Sequence, residues 1–360
     1  MAVYLIMTAI SVVLAMYAQK FYKKAHGADD IETKDAKDIK WIIFAVLAVL
    51  PTLLVSGLRY YVGTDYATYL RDTGYIGSVF KGEPAKMEWG YRLLVELAAL
   101  VDSKQLVFFV SAVIFSVFIF LFVYKSSDNW AFSVLLILLT GAFTQSLNIM
   151  RQMMAIAICM YAIKYAVEKN FKMYLLFVVL AAFIHSIVII FIPLYFLTYV
   201  KKIDNRILLA IVVLAKLCSP LVDKIMFELL TLLKTDYALY FDSSRDSGAS
   251  FVLTVVSLFI LVLCMFFDKK EDKRNTFMIY YQTLACIMLA LSLPNANRIA
   301  YLFIPVQIAL VPNIIETISN IKLKRLIMAG TIFVYTGFWL YYFYWINVSA
   351  TFPYKSVFSM

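Results

Sequence analysis

Only two histidines occur in the 360 residues, and one of them, His185, sits in the middle of an apolar run over 173–200. An imidazole placed there can take up or give a proton. The other, His26, lies in a polar loop. Two carboxylates have comparable potential: Asp65 in "GLRYYVGTDYATY" and Glu88 in "KMEWGYRLLVELAALV". A general base drawn from His185, Asp65 and Glu88, in that order of preference, would remove the proton from a hydroxyl nucleophile. Glu88 has two further readings, as an acceptor for a sugar hydroxyl and as a negative charge at a helix N-terminus.

The candidate cations arrive in polar interruptions of apolar sequence. "SLNIMRQMMA" places Asn148, Arg151 and Gln152 between two apolar segments with almost no loop. In a helix beginning near Asn148 these three fall at i, i+3 and i+4 and share one face. "LPNANRIAY" repeats the pattern with Asn297 and Arg298, and Tyr301 follows. Arg59 closes the second apolar segment, and Arg245 lies in a long polar stretch. A planar guanidinium matches phosphate oxygens in pairs, and amides serve sugar hydroxyls, so the set suits a polyanion carrying sugar. The tyrosines after Arg59, Tyr60, Tyr61, Tyr66, Tyr69 and Tyr75, fit either an interfacial belt or a stacking surface for sugar rings; Tyr66 and Tyr301 join the expected substrate contacts. Each residue alone has a plainer reading, such as a snorkelling arginine or a satisfied core histidine. No carboxylate or histidine cluster has metal-ligand spacing, the four cysteines are scattered through apolar segments as packing residues, and no cofactor or metal is expected.

These side chains must be held by membrane helices. The chain is 63% hydrophobic and 16% charged, with a mean hydropathy of +0.82, which excludes an ordinary soluble domain. Its apolar runs are continuous rather than alternating, which excludes a β-barrel. The net charge of +10 sits largely in short loops, the mark of cytoplasmic segments and not of nucleic-acid binding. Apolar runs near 3–19, 41–58, 105–124, 130–147, 152–168, 173–200, 207–222, 251–267, 277–293, 299–315 and 327–346 give a single membrane domain, 1–360, of about 11–12 transmembrane helices. The first run reads as a retained span and not as a signal peptide. The run over 173–200 is too long: as a straight helix it would extend about 42 Å in a hydrocarbon core about 30 Å thick. Breaking it into a hairpin at His185 puts Lys201, Lys202, Arg206, Lys269, Lys270, Lys273 and Arg274 on the cytoplasmic side with Lys20 to Lys40 and with Lys322, Lys324 and Arg325. The chain then crosses about twelve times with both termini outside. Extracytoplasmic parts are the 59–104 segment, with a short amphipathic helix whose apolar positions are Tyr91, Leu94, Val95, Ala98 and Leu100, and the 223–250 loop. Arg59, Arg151, His185, Arg245 and Arg298 all fall on that same outer side, where a positive-inside bias leaves basic residues in need of a reason.

With those residues in view, the sequence resembles the EpsG-type branch of the bacterial polysaccharide polymerases, the Wzy group. The resemblance rests on "GLRYYVGTDYATY", "EWGYRLL", "LNIMRQMMAIAI", "FIHSIVIIFIPLYFL" and "NRIAYLF" in that order, and covers most of the chain. It implies a GT-C-like membrane glycosyltransferase of the bacterial inner membrane, acting at its outer face. The implied substrate is an oligosaccharide repeat unit carried on undecaprenyl pyrophosphate, joined into an exopolysaccharide, capsule or O-antigen without a nucleotide sugar. It also implies company, namely the lipid bilayer and the chain-length regulator and flippase of the same pathway. Alternatives are a polysaccharide ligase, which the sequence separates poorly, and a flippase or transporter of the lipid-linked sugar. Against the transporter, the halves show no convincing repeat and the polar residues gather at one face.

Overall fold

A computed structural model describes residues 1–26, 39–72, 87–232, 247–268, 271–291 and 296–359. Among these residues every regular element is helical, and the β geometry is an isolated bridge between Arg59 and Ser356. The chain is an all-α polytopic membrane protein. In order, the helices are α1 (Ala2–His26), α2 (Lys40–Gly57), α3 (Tyr66–Asp72), α4 (Trp89–Leu100), α5 (Gln105–Ser126), α6 (Trp130–Leu139), α7 (Ala142–Ser146), α8 (Met150–Val167) and α9 (Phe171–Ile184). A broken arm follows, made of a 3-10 turn (Ser186–Ile190), α10 (Phe191–Leu194) and a second 3-10 turn (Tyr195–Tyr199). The remainder is α11 (Asn205–Leu232), α12 (Ser247–Phe267), α13 (Lys273–Leu291), α14 (Ala296–Ala300), α15 (Gln307–Glu316) and α16 (Ile321–Trp339), the last continuing as a π-turn through Trp345.

Among the described residues five stretches are long and apolar enough to cross a membrane: α1, α2, α5, the 296–316 stretch through α14 and α15, and Ile321–Trp345. Their burial separates centre from rim. The 296–316 stretch is 89% buried, against 33% for α1 and 28% for α2. Helices apolar all round belong in a core or in lipid, so α14–α15 is the axis of the bundle. The outer faces of α1 and α2, with Ile6, Ile10, Ile42, Val46 and Leu54 exposed, are the lipid-facing rim. Asparagines start three of the helices: Asn129, Asn170 and Asn320 each accept a backbone N–H from the first turn of α6, α9 and α16, satisfying donors that a helix start leaves open.

The long 173–200 run folds back on itself. His185 is extended (φ −154°, ψ 114°), the Tyr174 hydroxyl donates to the Phe191 carbonyl at 2.6 Å, and the Phe171 and Tyr195 rings lie 4.8 Å apart. In a straight helix the last two residues would be about 36 Å apart. Each arm is shorter than a full span, and the His185 side chain at the tip is 25% exposed.

Polar groups of the described residues gather at two ends of the bundle. At one end Arg274 clamps Asp128 (2.8 Å) and Asp272 (3.3 Å), Lys202 pairs with Asp268 (2.8 Å), and Lys324 pairs with Glu316. Asn313 knots this end: its amide donates to the Ser126 carbonyl and to Asn275 Oδ1, both at 2.9 Å, and its oxygen accepts the Asp128 N–H at 2.8 Å. Because Asn313 is fully buried, Asn313→Ala strands these partners and should destabilise the protein by about 2–4 kcal/mol, seen as an earlier thermal melt in detergent without loss of the bundle's helicity.

Two boundaries and one helix face depart from the sequence expectation. Part of the expected 223–250 loop is helical, because α11 runs to Leu232 and α12 starts at Ser247; "KIMFELLTLL" is rich in helix formers, and Pro220 does not end the helix. α8 begins at Met150, which leaves Asn148 in the turn before it. In α4, Tyr91, Leu94, Val95 and Ala98 are buried as expected, but Leu100 is 78% exposed. Arg92 and Glu96 are buried instead, and the outward stripe is Trp89, Leu93, Leu97 and Leu100. A helix with an oily outer face and charges turned inward suits lipid contact better than a water-facing surface.

Candidate active site

The other end of the bundle gathers the polar interruptions. Glu88 caps α4 from an extended backbone (φ −67°, ψ 147°), and its side chain is the hub. Its Oε1 accepts from His185 Nδ1 at 2.7 Å, from the Ser186 N–H at 3.1 Å and from the Ser186 hydroxyl at 3.2 Å. Its Oε2 accepts from Arg151 Nη1 at 3.1 Å. Three elements therefore meet on one carboxylate: the start of α4, the first turn of α8 and the tip of the α9 hairpin. Gly90 permits the approach, since a Cβ there would lie 2.8 Å from the Phe183 carbonyl oxygen. The Arg151 guanidinium also lies 5.1 Å from the centre of the Tyr91 ring, within cation–π range.

Burial alone would raise the Glu88 pKa, but the donors from His185 and Ser186 prevail and bring it down from 4.5 to about 2. A carboxylate that ionised only accepts hydrogen bonds, so the hydrogen between it and His185 belongs to Nδ1. In the neutral imidazole Nε2 then holds the free lone pair. The same shift fixes the acid limit of the cluster. A depressed folded-state value contributes stability that is complete above about 4.5 and is lost as the pH falls toward about 2. Acidification through that window should release the hairpin tip from α4, seen as faster amide exchange around Ser186, while exchange there should be insensitive to Glu88 protonation above pH ~5.

A second set lies beside the first. Asn148 Oδ1 accepts from the Thr64 hydroxyl at 2.6 Å and from the Asp65 N–H at 3.1 Å, so the amide holds the Asp65 loop. Asp65 Oδ2 is 3.9 Å from Arg298 Nη2, a loose pair with Arg298 half exposed. Gln152 Nε2 donates to the Arg298 carbonyl at 2.7 Å and ties the α14 turn to α8. Asn297, partly buried, adjoins Arg298. Tyr69 joins the two sets. Its burial raises the phenol to about 12, with Asp65 adding to the effect and Arg151 opposing it.

Other expected contacts lie deeper. Arg59 has no exposed surface; it donates to the Ser56 carbonyl at 2.7 Å, reaches Met150 Sδ at 3.3 Å, and faces the Phe108 ring at 5.0 Å. No carboxylate among the described residues pairs with it. Its guanidinium lies 6.0 Å from the centre of the Tyr66 ring, beneath the site. Tyr66 is buried and stacked on Phe108 at 4.3 Å, and Tyr301 is buried in the bundle axis. Arg245 lies outside the described residues. Sequence reasoning passed over Ser186 as a donor, Tyr91 as the ring under Arg151, and the C-terminal tail. That tail straps the outer loop by backbone alone: Tyr60 N–H to Lys355 O (2.9 Å), Val357 N–H to Leu58 O (2.9 Å), Gly63 N–H to Ala350 O (3.0 Å) and Thr64 N–H to Ser349 O (3.1 Å).

Gly63 is the tightest point of this loop. Its φ is +103°, and a Cβ would lie 2.4 Å from the Leu147 carbonyl oxygen. Gly63→Ala must push the Asp65 loop off Asn148. Misplacement by about 1 Å costs roughly a hundredfold in rate, so any activity of this site should collapse while membrane levels of the protein hold.

A family model, the EpsG family, matches residues 42–356, which spans the Glu88 cluster, the α14 turn and most of the strapping tail. No curated protein and no solved structure matches the chain. Since the match takes in everything from α2 to the tail, the chain belongs to the EpsG family.

Proposed function

We propose that this protein is a membrane glycosyltransferase that polymerises oligosaccharide repeat units carried on undecaprenyl pyrophosphate, at the outer face of the bacterial inner membrane. Family membership points to a polysaccharide polymerase. The observation that carries the finer reading is the Glu88 cluster, which sets a base and a cation side by side at the hairpin tip.

Each partner has a task. The acceptor hydroxyl attacks the anomeric carbon of the growing chain and gives its proton to His185 Nε2. The bond from that carbon to pyrophosphate breaks, and lipid pyrophosphate leaves. Arg151 meets the negative charge that develops on the leaving group, with Arg298 as the second cation. Glu88 orients His185 and stabilises the imidazolium; at a pKa of about 2 it is too weak a base to take the proton itself. Asp65 holds Arg298, and Asn148 and Gln152 fix the turns that carry them. Arg59 adds positive potential from below.

The test is reconstitution. Purified protein in vesicles of bacterial lipid, given lipid-linked single repeat units and no nucleotide sugar, should produce a ladder of longer lipid-linked glycans, and should do so after treatment with a chelator. Units that stay single, with protein shown to be inserted, would defeat the proposal.

A further inference from the structure

The tyrosines after Arg59 do not share one role. Tyr66 is stacked on Phe108 and Tyr69 is buried against Tyr91, so both are core. Tyr61 is different. It is 54% exposed, and its φ is +49°, a left-handed conformation that costs a side-chain-bearing residue free energy which glycine would not lose. The strap holds it there from both sides, by the Tyr60 N–H to Lys355 and the Gly63 N–H to Ala350. Its ring rests 5.2 Å from Tyr66 and 4.8 Å from Tyr60, and Tyr66 directly follows Asp65. A strained backbone thus presents an exposed aromatic face packed on Tyr66, the residue that follows the carboxylate paired with Arg298. Packing does not require this, since an exposed ring gains little by it. Ala350 in the strap shares this conformation (φ +47°), but it carries only a methyl group; at Tyr61 the strained backbone holds a large exposed ring beside a candidate site, which points to use there.

We infer that Tyr61, backed by Tyr60, is a sugar-stacking subsite that seats a ring of the lipid-linked oligosaccharide next to Asp65 and Arg298. The face of an aromatic ring is electron-rich, and the C–H face of a pyranose is its complement. A rigid loop makes the platform ready before the sugar arrives, which lowers the ordering cost of binding. This subsite rests on the polymerase reading of the same site.

Tyr61→Gly separates the roles, because glycine removes the ring and relaxes the backbone. The reaction is run in vesicles with lipid-linked repeat units purified from producing cells. Tyr61→Gly should raise KM about tenfold with kcat within about twofold, and Tyr61→Trp should keep the wild-type KM. Inhibition by sugar-free undecaprenyl pyrophosphate should be the same in all three proteins, and the melting temperature of Tyr61→Gly should equal or exceed that of wild type. Unchanged KM in Tyr61→Gly, with wild type active, overturns the subsite alone. An equal loss toward sugar-free lipid overturns it too, by making the tyrosine a pyrophosphate or lipid contact. No polymer from wild type overturns the polymerase reading itself.

Discussion

Replacing His185 by Gln should abolish polymer formation while leaving the protein in the membrane at normal levels, with kcat down about 10²–10⁴-fold, the range of general base catalysis, and KM nearly unchanged. The geometry gives the reason. His185 Nδ1 is engaged by Glu88 at 2.7 Å, so the free nitrogen is Nε2, and no other side chain in the cluster can act as base. Glu88 is ionised but weakly basic, and Arg151 is a permanent cation. Adding imidazole to His185→Gly should restore part of the rate if the ring's task is proton transfer, and none if it only supports the hairpin. Glu88→Gln should fall between wild type and His185→Gln. The shape survives, but the negative charge that favours the imidazolium is gone.

Arg151 carries the second large effect. Arg151→Ala should cost about 2.7–4 kcal/mol of transition-state stabilisation, the range seen when one preorganised donor is removed from a developing anion. Arg151→Lys should recover little. Lysine keeps the charge but not the planar fork that bonds two oxygens at once, and a lysine at 151 would be drawn to Glu88. The loss should appear mainly in kcat. A loss confined to KM would make Arg151 a ground-state contact.

Much of this site was legible in the sequence, because charge inside an apolar chain is conspicuous. Arg151, His185, Arg298 and Asn148 interrupt oily runs, and the hairpin at His185 followed from where the lysines had to go. Their pairings were not legible. Glu88 meets Arg151 across 63 residues and His185 across 97, and that meeting depends on Gly90 seating α4 against α9. Depth was not legible either. Arg59 and Tyr66 stand at a span end in the sequence, yet the fold closes over both. The outward stripe of α4 and its inward Arg92 and Glu96 reverse the usual reading of an amphipathic helix, the pattern of a helix laid against lipid. The strap was invisible for a simpler reason: backbone hydrogen bonds leave no mark on side-chain pattern.

The central claim is that the Glu88–His185–Arg151 cluster joins sugars rather than moving them across the membrane. The most direct measurement is the sidedness of lipid-linked products in cells whose only copy carries Arg151→Ala. Single repeat units should accumulate at the outer face, where an impermeant sugar-modifying reagent reaches them in intact cells. Single units that accumulate but react only after the membrane is opened would contradict the account and make the protein a transporter.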